Sequence, residues 1–300
     1  VKVLITGARG FVGSNLVHVF GEAGDEVLAP SHAELDLEDR AATDAYVREH
    51  APGAIVHAAI WNAFAGLLSD RRRAWSSFVD ATRNVTDAAN AVDARMVLVS
   101  TDWVFDGTQG PAAEDDPPNP TSAYGVLKVV SESVVRERAD RGTIARIAGV
   151  QGAHRAQAKT VREQDAGFGY LVASVIDTLR EGREFTVWEG PELNTWASPV
   201  SAIDASRLIR RAIDRDVDGI LHCCGAEHID RVSLARRAAA AFELDVGLIK
   251  TGPAPVEAGG GPFDTRLASD ATAAKLDMAL PDLDDLLDVL REELSPAWTS

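Results

Sequence analysis

Residues 1–5 are a short apolar run rich in β-branched residues and broken only by Lys2, which stops at Thr6-Gly7, and from Phe11 apolar residues recur at Val12, Leu16, Val17 and Phe20 until Gly21 and Gly24. The first pattern is that of a buried strand and the second, at three- and four-residue spacing, that of an amphipathic helix. The alternation continues. Strand patterns cover 26–29, 54–58, 95–100 and 142–147, and helical patterns cover most of 36–49 and all of 75–91 and 123–139. Strands alternating with helices of this length predict parallel β-α-β crossovers, hence an α/β doubly wound sheet that binds ligands beyond the carboxyl ends of its strands.

Past Val150 the rhythm loosens. Residues 151–167 are polar, 170–179, 204–213 and 232–242 read as helices, 185–188 as a strand, and Gly259-Gly260-Gly261-Pro262 as a loop. Leucines keep helical spacing over 282–294, which predicts a closing helix; the same leucines leave a homodimer open. The division expected is a first domain over 1–150 and a smaller substrate lobe over 151–300, with some of its segments returning to the first.

Composition narrows the partners. Of 300 residues, 30 are Lys or Arg and 46 Asp or Glu, a net charge of −16 that is the wrong sign for gripping nucleic acid. No apolar run approaches the roughly 20 residues of a membrane span, and no export signal stands out, so the expectation is a cytoplasmic protein without a membrane partner. The only cysteines, Cys223 and Cys224, are sequence neighbours that read as buried thiols in a reducing compartment, and the seven histidines show no ligand spacing for a metal.

Three motifs carry chemistry. Gly7-Ala8-Arg9-Gly10-Phe11-Val12-Gly13 follows a strand and opens a helix, where glycines let the backbone approach a pyrophosphate and the helix dipole attracts its charge. A tight turn without ligand is the plainer reading of such glycines. The second strand ends in Ala29-Pro30-Ser31-His32 with no carboxylate for a ribose 2′-hydroxyl; with Arg9 in the glycine loop, this favours NADP(H) and leaves NAD(H) open. Tyr124 and Lys128 sit four apart, on one helix face, where an ammonium can bring a phenol toward working range; a surface pair is the alternative. Val97 to Val99 deliver Ser100 and Thr101 to the ligand edge of the sheet, where a hydroxyl can bond a reacting oxygen or merely cap a helix.

Taken in this order, the motifs resemble those of the extended short-chain dehydrogenase/reductases, and within them the branch of dTDP-4-dehydrorhamnose reductase and its relatives. The match extends to Asp36-Leu37, Val56-His57-Ala58-Ala59, the run from Ser100 through Thr101-Asp102-Trp103 to Gly107, Asn119-Pro120, and Asp264-Thr265-Arg266-Leu267. The resemblance implies a Rossmann NAD(P)-binding domain with a carboxy-terminal substrate lobe, and an NAD(P)H-dependent reductase acting on a nucleotide-linked 4-keto-6-deoxy sugar. It makes Tyr124 the proton donor, Lys128 the group that lowers its pKa and holds the nicotinamide ribose, and Thr101 the residue orienting the substrate oxygen. It sets Gly7, Arg9, Gly10, Phe11, Val12, Gly13, Ser31, Asp36, Leu37, Ala58, Ala59 and Ser100 against the cofactor with Tyr124 and Lys128, and Asp102, Trp103 and Arg266 against the sugar nucleotide.

Two departures bear on substrate. Gly149 stands where many of these reductases carry a tryptophan, which implies an enlarged or differently stacked sugar pocket, and the polar stretch 153–166 is longer than the family pattern, which implies a different lid. Two other functions compete. A nucleotide-sugar epimerase would share the cofactor loop and Tyr-Lys pair, and a non-catalytic NADP-binding regulatory subunit would keep the fold without turnover. A 4,6-dehydratase is disfavoured because Asp102 is followed by Trp103 rather than by a second acid. His57 reads as a core or cofactor-adjacent histidine, and Glu114-Asp115-Asp116 as a solvated loop.

Overall fold

The computed structural model describes residues 1–61, 66–157, 164–165, 167–255 and 260–295. The first half runs β1 (Lys2–Thr6), α1 (Phe11–Glu22), β2 (Glu26–Leu28), α2 (Arg40–His50), β3 (Ala54–His57), α3 (Arg71–Trp75), α4 (Ala81–Asn90), β4 (Arg95–Thr101), α5 (Ala123–Arg138) and β5 (Gly142–Ile147). It continues with α6 (Leu171–Arg180), β6 (Phe185–Glu189), β7 (Trp196–Ala197), α7 (Ala202–Asp214), β8 (Gly219–His222), β9 (Ile229–Asp230), α8 (Arg231–Ala241), β10 (Ile249–Pro253), α9 (Asp270–Leu276) and α10 (Leu283–Glu293).

Six strands form one parallel sheet in the order β2-β1-β3-β4-β5-β8. This is the doubly wound Rossmann-like sheet that the alternation predicts. The middle of the sheet is largely apolar because both faces are covered: Val3, Ile5, Val56 and Val97 pack on one side with Leu16 and Phe20 of α1 and Leu208 of α7, and Leu4, Ile55, Met96 and Leu98 on the other with Val85 of α4 and Val135 of α5. A second core gathers α6, α8, α10 and the parallel pair β6 and β10 around Val175, Val187, Leu234 and Leu290. The leucines of α10 are spent inside this core, which removes them as a dimer seam.

Boundaries differ from the pattern where side chains cap. The helix expected from residue 36 starts at Arg40, because the Asp39 carboxylate accepts the Ala42 N–H (3.0 Å) and frees Asp36-Leu37-Glu38 as loop. The helix expected from Trp75 starts at Arg71, capped by Asp70, and passes through a π-helical turn over Ser76–Asp80 before α4. Strand β8, from the second half of the chain, completes the sheet beside β5. Among the described residues no helix is long and apolar enough to cross a membrane, and no three His, Cys, Asp or Glu side chains converge as metal ligands.

Candidate active site

The sheet order turns back between β1 and β3, and the carboxyl ends of these strands open a cleft of about 820 Å³. Gly7, Arg9, Gly10, Phe11, Val12 and Gly13 line it from the first turn, Ser31, Asp36 and Leu37 from the loop after β2, and Ala58 and Ala59 from the end of β3. The glycines are steric necessities. Gly7 has φ +70°, and a Cβ there would lie 2.7 Å from Ala59 Cα; a Cβ on Gly13 would lie 2.0 Å from the Gly7 carbonyl oxygen. Gly10 offers α1 no capping side chain and the first turn holds no acid, so a helix end rich in unshared N–H groups is turned to the cleft.

Other parts of the wall carry no sequence signal. Arg73, from the first turn of α3, places its guanidinium 4.7 Å over the Trp61 ring, and both line the cleft with Ser77. An acid also reaches the end of β2: the Ser31 N–H and hydroxyl each donate to the Glu34 carboxylate at 2.7 Å, and these bonds, with Arg9, hold that carboxyl below its usual range. The stretch 29–32 lacks a carboxylate, but the turn brings one back to it.

The second group lies at the end of β4. Ser122 caps α5 by accepting the Gly125 N–H (3.0 Å), and Gly125 lets the helix press on the following turn, since a Cβ there would be 2.2 Å from the Trp103 carbonyl oxygen. This sets Tyr124 in hydrogen-bond contact with Thr101, whose hydroxyl donates to Asp102 Oδ1 (2.9 Å) and accepts from the Trp103 N–H (3.2 Å). Lys128, buried one turn along α5, donates to the Val99 carbonyl (2.8 Å) with its Nζ 6.0 Å from the Tyr124 ring centre. Burial lowers Lys128 to about 8, against the pull of Glu132.

Here the structure corrects one expectation. The Tyr-Lys spacing predicts a phenol drawn down by the ammonium, but burial and the Asp102 charge raise Tyr124 above the ordinary phenol value, against the pull of its bond to Thr101. Tyr124 is therefore a protonated phenol across the neutral range. His57 is a fully buried core group bonded to Thr6 (2.7 Å), and burial, reinforced by Lys128, pushes it down to about 3, so it is neutral and no proton acceptor.

Ser100 is not in the cleft wall. It lies buried in β4 and donates to Glu132 (2.6 Å), which also pairs with the fully buried Arg146 (2.8 Å); Arg146 in turn stacks on Phe105 at 5.0 Å. Asp102 is likewise no rim residue. It is buried beneath Thr101, hydrogen-bonded to Thr101 and Thr265, and desolvation raises it to about 6. Trp103 stands edge-on to Tyr124 (6.3 Å, 74°), and its indole is flanked by Gly167 and Gly261, where a Cβ would come within 3.2 and 2.9 Å of it. Arg266 is committed to Asp264 (2.5 Å) and lies 5.2 Å over Trp196.

The two departures also take physical form. Gly149 has φ +51° and packs on Pro199 and Ala197, where a Cβ would meet atoms at 3.2 and 3.3 Å, so this position is filled by the 197–199 segment rather than opened as pocket. The start of the long polar stretch is a strap over α1: the Ala153 carbonyl accepts from Asn15 (3.0 Å), the Arg155 N–H donates to Ser14 (3.2 Å), and the Arg155 guanidinium reaches Asn15 (3.0 Å) and Glu293 (2.7 Å). Residues 158–163 and 166 of the expected lid lie outside the described residues, as does Gly259 of the glycine loop. Glu114 is not simply solvated, since it accepts from Thr272 of α9 (2.7 Å).

Residues 1–285 match the family described as RmlD substrate binding domain. The chain is 29% identical over 260 residues to a dTDP-4-keto-6-deoxy-D-glucose reductase of Streptomyces niveus, covering 86% of this chain and 84% of that one. It is 27% identical over 250 residues to methionine adenosyltransferase 2 subunit beta of Xenopus tropicalis, covering 81% and 72%. Its fold is similar to that of dTDP-4-dehydrorhamnose reductase from Bacillus anthracis in complex with NADP, with a TM-score of 0.83, 22% identity, and 97% and 99% of the two chains covered.

Proposed function

The chain belongs to the RmlD substrate binding domain family, and on that premise we propose that it is an NADPH-dependent reductase of a nucleotide-linked 4-keto-6-deoxy sugar. The observation that carries the reading is the grouping of Thr101, Tyr124 and Lys128 at the carboxyl end of β4, beside a cleft floored by Gly7 and Gly13, which admit no Cβ. That cradle fits a dinucleotide pyrophosphate: Gly7, Gly10 and Gly13 permit close backbone approach, and the open start of α1 supplies N–H donors. Bound there, the reduced nicotinamide supplies a hydride for the ketone carbon.

The chain's own residues do the rest. Tyr124, neutral because it is buried, donates its phenolic proton to the former carbonyl oxygen, so hydride and proton together make the alcohol. Lys128, charged below about 8, stabilises the phenolate that remains, and Thr101 holds the oxygen being reduced. Arg9 at the cleft mouth supports a preference for the 2′-phosphate of NADPH over NADH, in keeping with the NADP held by the Bacillus anthracis structure. The sugar is taken from the substrate in the Streptomyces niveus relative's name, with Trp103 and the second lobe as its proposed surroundings. Free, buried Cys223 and Cys224 support a cytoplasmic setting.

The likeness to a methionine adenosyltransferase subunit favours one second reading, a cofactor-binding partner without turnover. Fluorescence titration with NADPH and NADH, followed by nicotinamide oxidation with dTDP-4-keto-6-deoxy sugars, separates the two. Turnover that falls about 10²–10⁴-fold in Tyr124→Phe supports the reductase; tight cofactor binding with no oxidation of any sugar in the panel supports the second reading.

A further inference from the structure

Thr101 has one hydroxyl proton, and it is donated to Asp102 Oδ1 at 2.9 Å. In that state the Thr101 oxygen accepts from the Trp103 N–H and meets Tyr124, but it has nothing to donate to a substrate oxygen. Asp102 is 4% exposed, and its second side-chain partner, Thr265, belongs to the segment after β10. The titratable groups facing it are Tyr124 from α5 and Cys224 from the turn after β8, both uncharged at neutral pH; Arg266, which follows Thr265, is neutralised by Asp264. Among the described residues no cation stands against Asp102 to fix it as a carboxylate.

We propose that Asp102 sets the direction of the Thr101 hydrogen bond. As the neutral acid it donates to Thr101 Oγ1 and releases the Thr101 proton toward the substrate carbonyl; as the carboxylate it takes that proton back and leaves the carbonyl one donor short. Asp102 is then a positioning residue, acting through Thr101. The ionised form also places a negative charge beside the oxygen on which charge develops, which opposes reduction a second time. Desolvation keeps the acid protonated to about 6, while the bond from Thr265 favours the carboxylate. The inference rests on the reductase reading.

The test is the pH profile of kcat/KM for NADPH-dependent reduction of dTDP-4-keto-6-deoxyglucose by the full chain, run beside pH-difference infrared spectra that need no turnover. The wild type is expected to lose about tenfold per pH unit above about 6, with a second limb above about 8 as Lys128 loses its proton. Asp102→Asn, whose amide donates to Thr101 at every pH, removes the first limb and keeps the second. Thr265→Val, which deletes a bond to the carboxylate, moves the first limb to higher pH and keeps the inference testable if Asp102→Asn does not fold. Both changes fall in kcat, with the KM for NADPH unmoved. The infrared spectra show a protonated-carboxyl band in the wild type that disappears in Asp102→Asn.

A first limb that persists unmoved in both variants, or a carboxyl that is ionised throughout the infrared titration, overturns the inference and leaves the reductase intact. A wild type that reduces no 4-ketone overturns the reductase reading, and the role of Asp102 with it.

Discussion

The nucleotide cleft and the Thr101–Tyr124–Lys128 corner sit at the same edge of one sheet, yet they are made of different material. The cleft is built from backbone: glycines without room for a methyl group, a helix end without a cap, and loop residues turned in after β2. The corner is built from side chains whose protons and charges are set first by burial and then by hydrogen bonds and neighbouring charges, with Lys128 lowered to about 8, Asp102 raised to about 6 and Tyr124 raised above an ordinary phenol. A backbone site is damaged by added volume and a side-chain site by altered charge. The two regions should therefore fail in different ways.

The sharpest failure is expected at Gly13. Gly13→Ala puts a Cβ 2.0 Å from the Gly7 oxygen and should remove measurable NADPH binding by fluorescence while leaving a folded circular-dichroism spectrum. Retained binding would mean that the turn relaxes and the cradle is not rigid. Next is the support beneath the corner. Glu132→Ala strands the fully buried Arg146 and removes the Ser100 acceptor, and should cost about 3–5 kcal/mol in urea unfolding, whereas a double change of Glu132 and Arg146 to apolar residues should recover much of it.

Lys128 gives a smaller, pH-dependent effect. Its ammonium is present below about 8 and lost above it, so kcat should fall about tenfold per pH unit on the alkaline side. Lys128→Met should be slow at every pH and lack that limb. The smallest effect is expected at the cleft mouth. Arg9→Ala should raise the KM for NADPH about tenfold, equivalent to ~1.4 kcal/mol, and change that for NADH little. Glu34, held ionised by Ser31 on the same rim, should act in the opposite sense, with Glu34→Gln improving NADPH relative to NADH.

The same contrast explains what could be read from the chain. Backbone requirements leave marks at fixed spacing, so Gly7, Gly10 and Gly13 announce a cradle, and the alternation of apolar runs announces the sheet. The electrostatic state of a side chain depends on neighbours brought from elsewhere. Tyr124 and Lys128 are legible as a pair, but the fate of the phenol rests on burial and on Asp102, and that of Asp102 on Thr265, which lies far along the chain. Glu34 escaped because the Ser31 turn, not strand spacing, carries it to the end of β2. Strand β8 escaped because it is four residues long and pairs through Thr143, Ile144, Ala145 and Arg146 of a distant strand. Position 149 taught the reverse lesson: a small residue there is packing against Pro199, not vacancy.

The strap over α1 has a consequence for how the molecule is made. Ser14 and Asn15 are synthesised before the guanidinium that crosses them, and that guanidinium is anchored on Glu293, which follows Arg155 by 138 residues. At ordinary elongation speeds that separation amounts to a delay on the order of ten seconds. During it the rim of the nucleotide cleft has its helix and its glycines but not its fastening. A nascent chain of this protein should therefore acquire the first five strands of its parallel sheet well before it can hold a dinucleotide tightly, and late synthesis, rather than early collapse, sets when the cleft is finished.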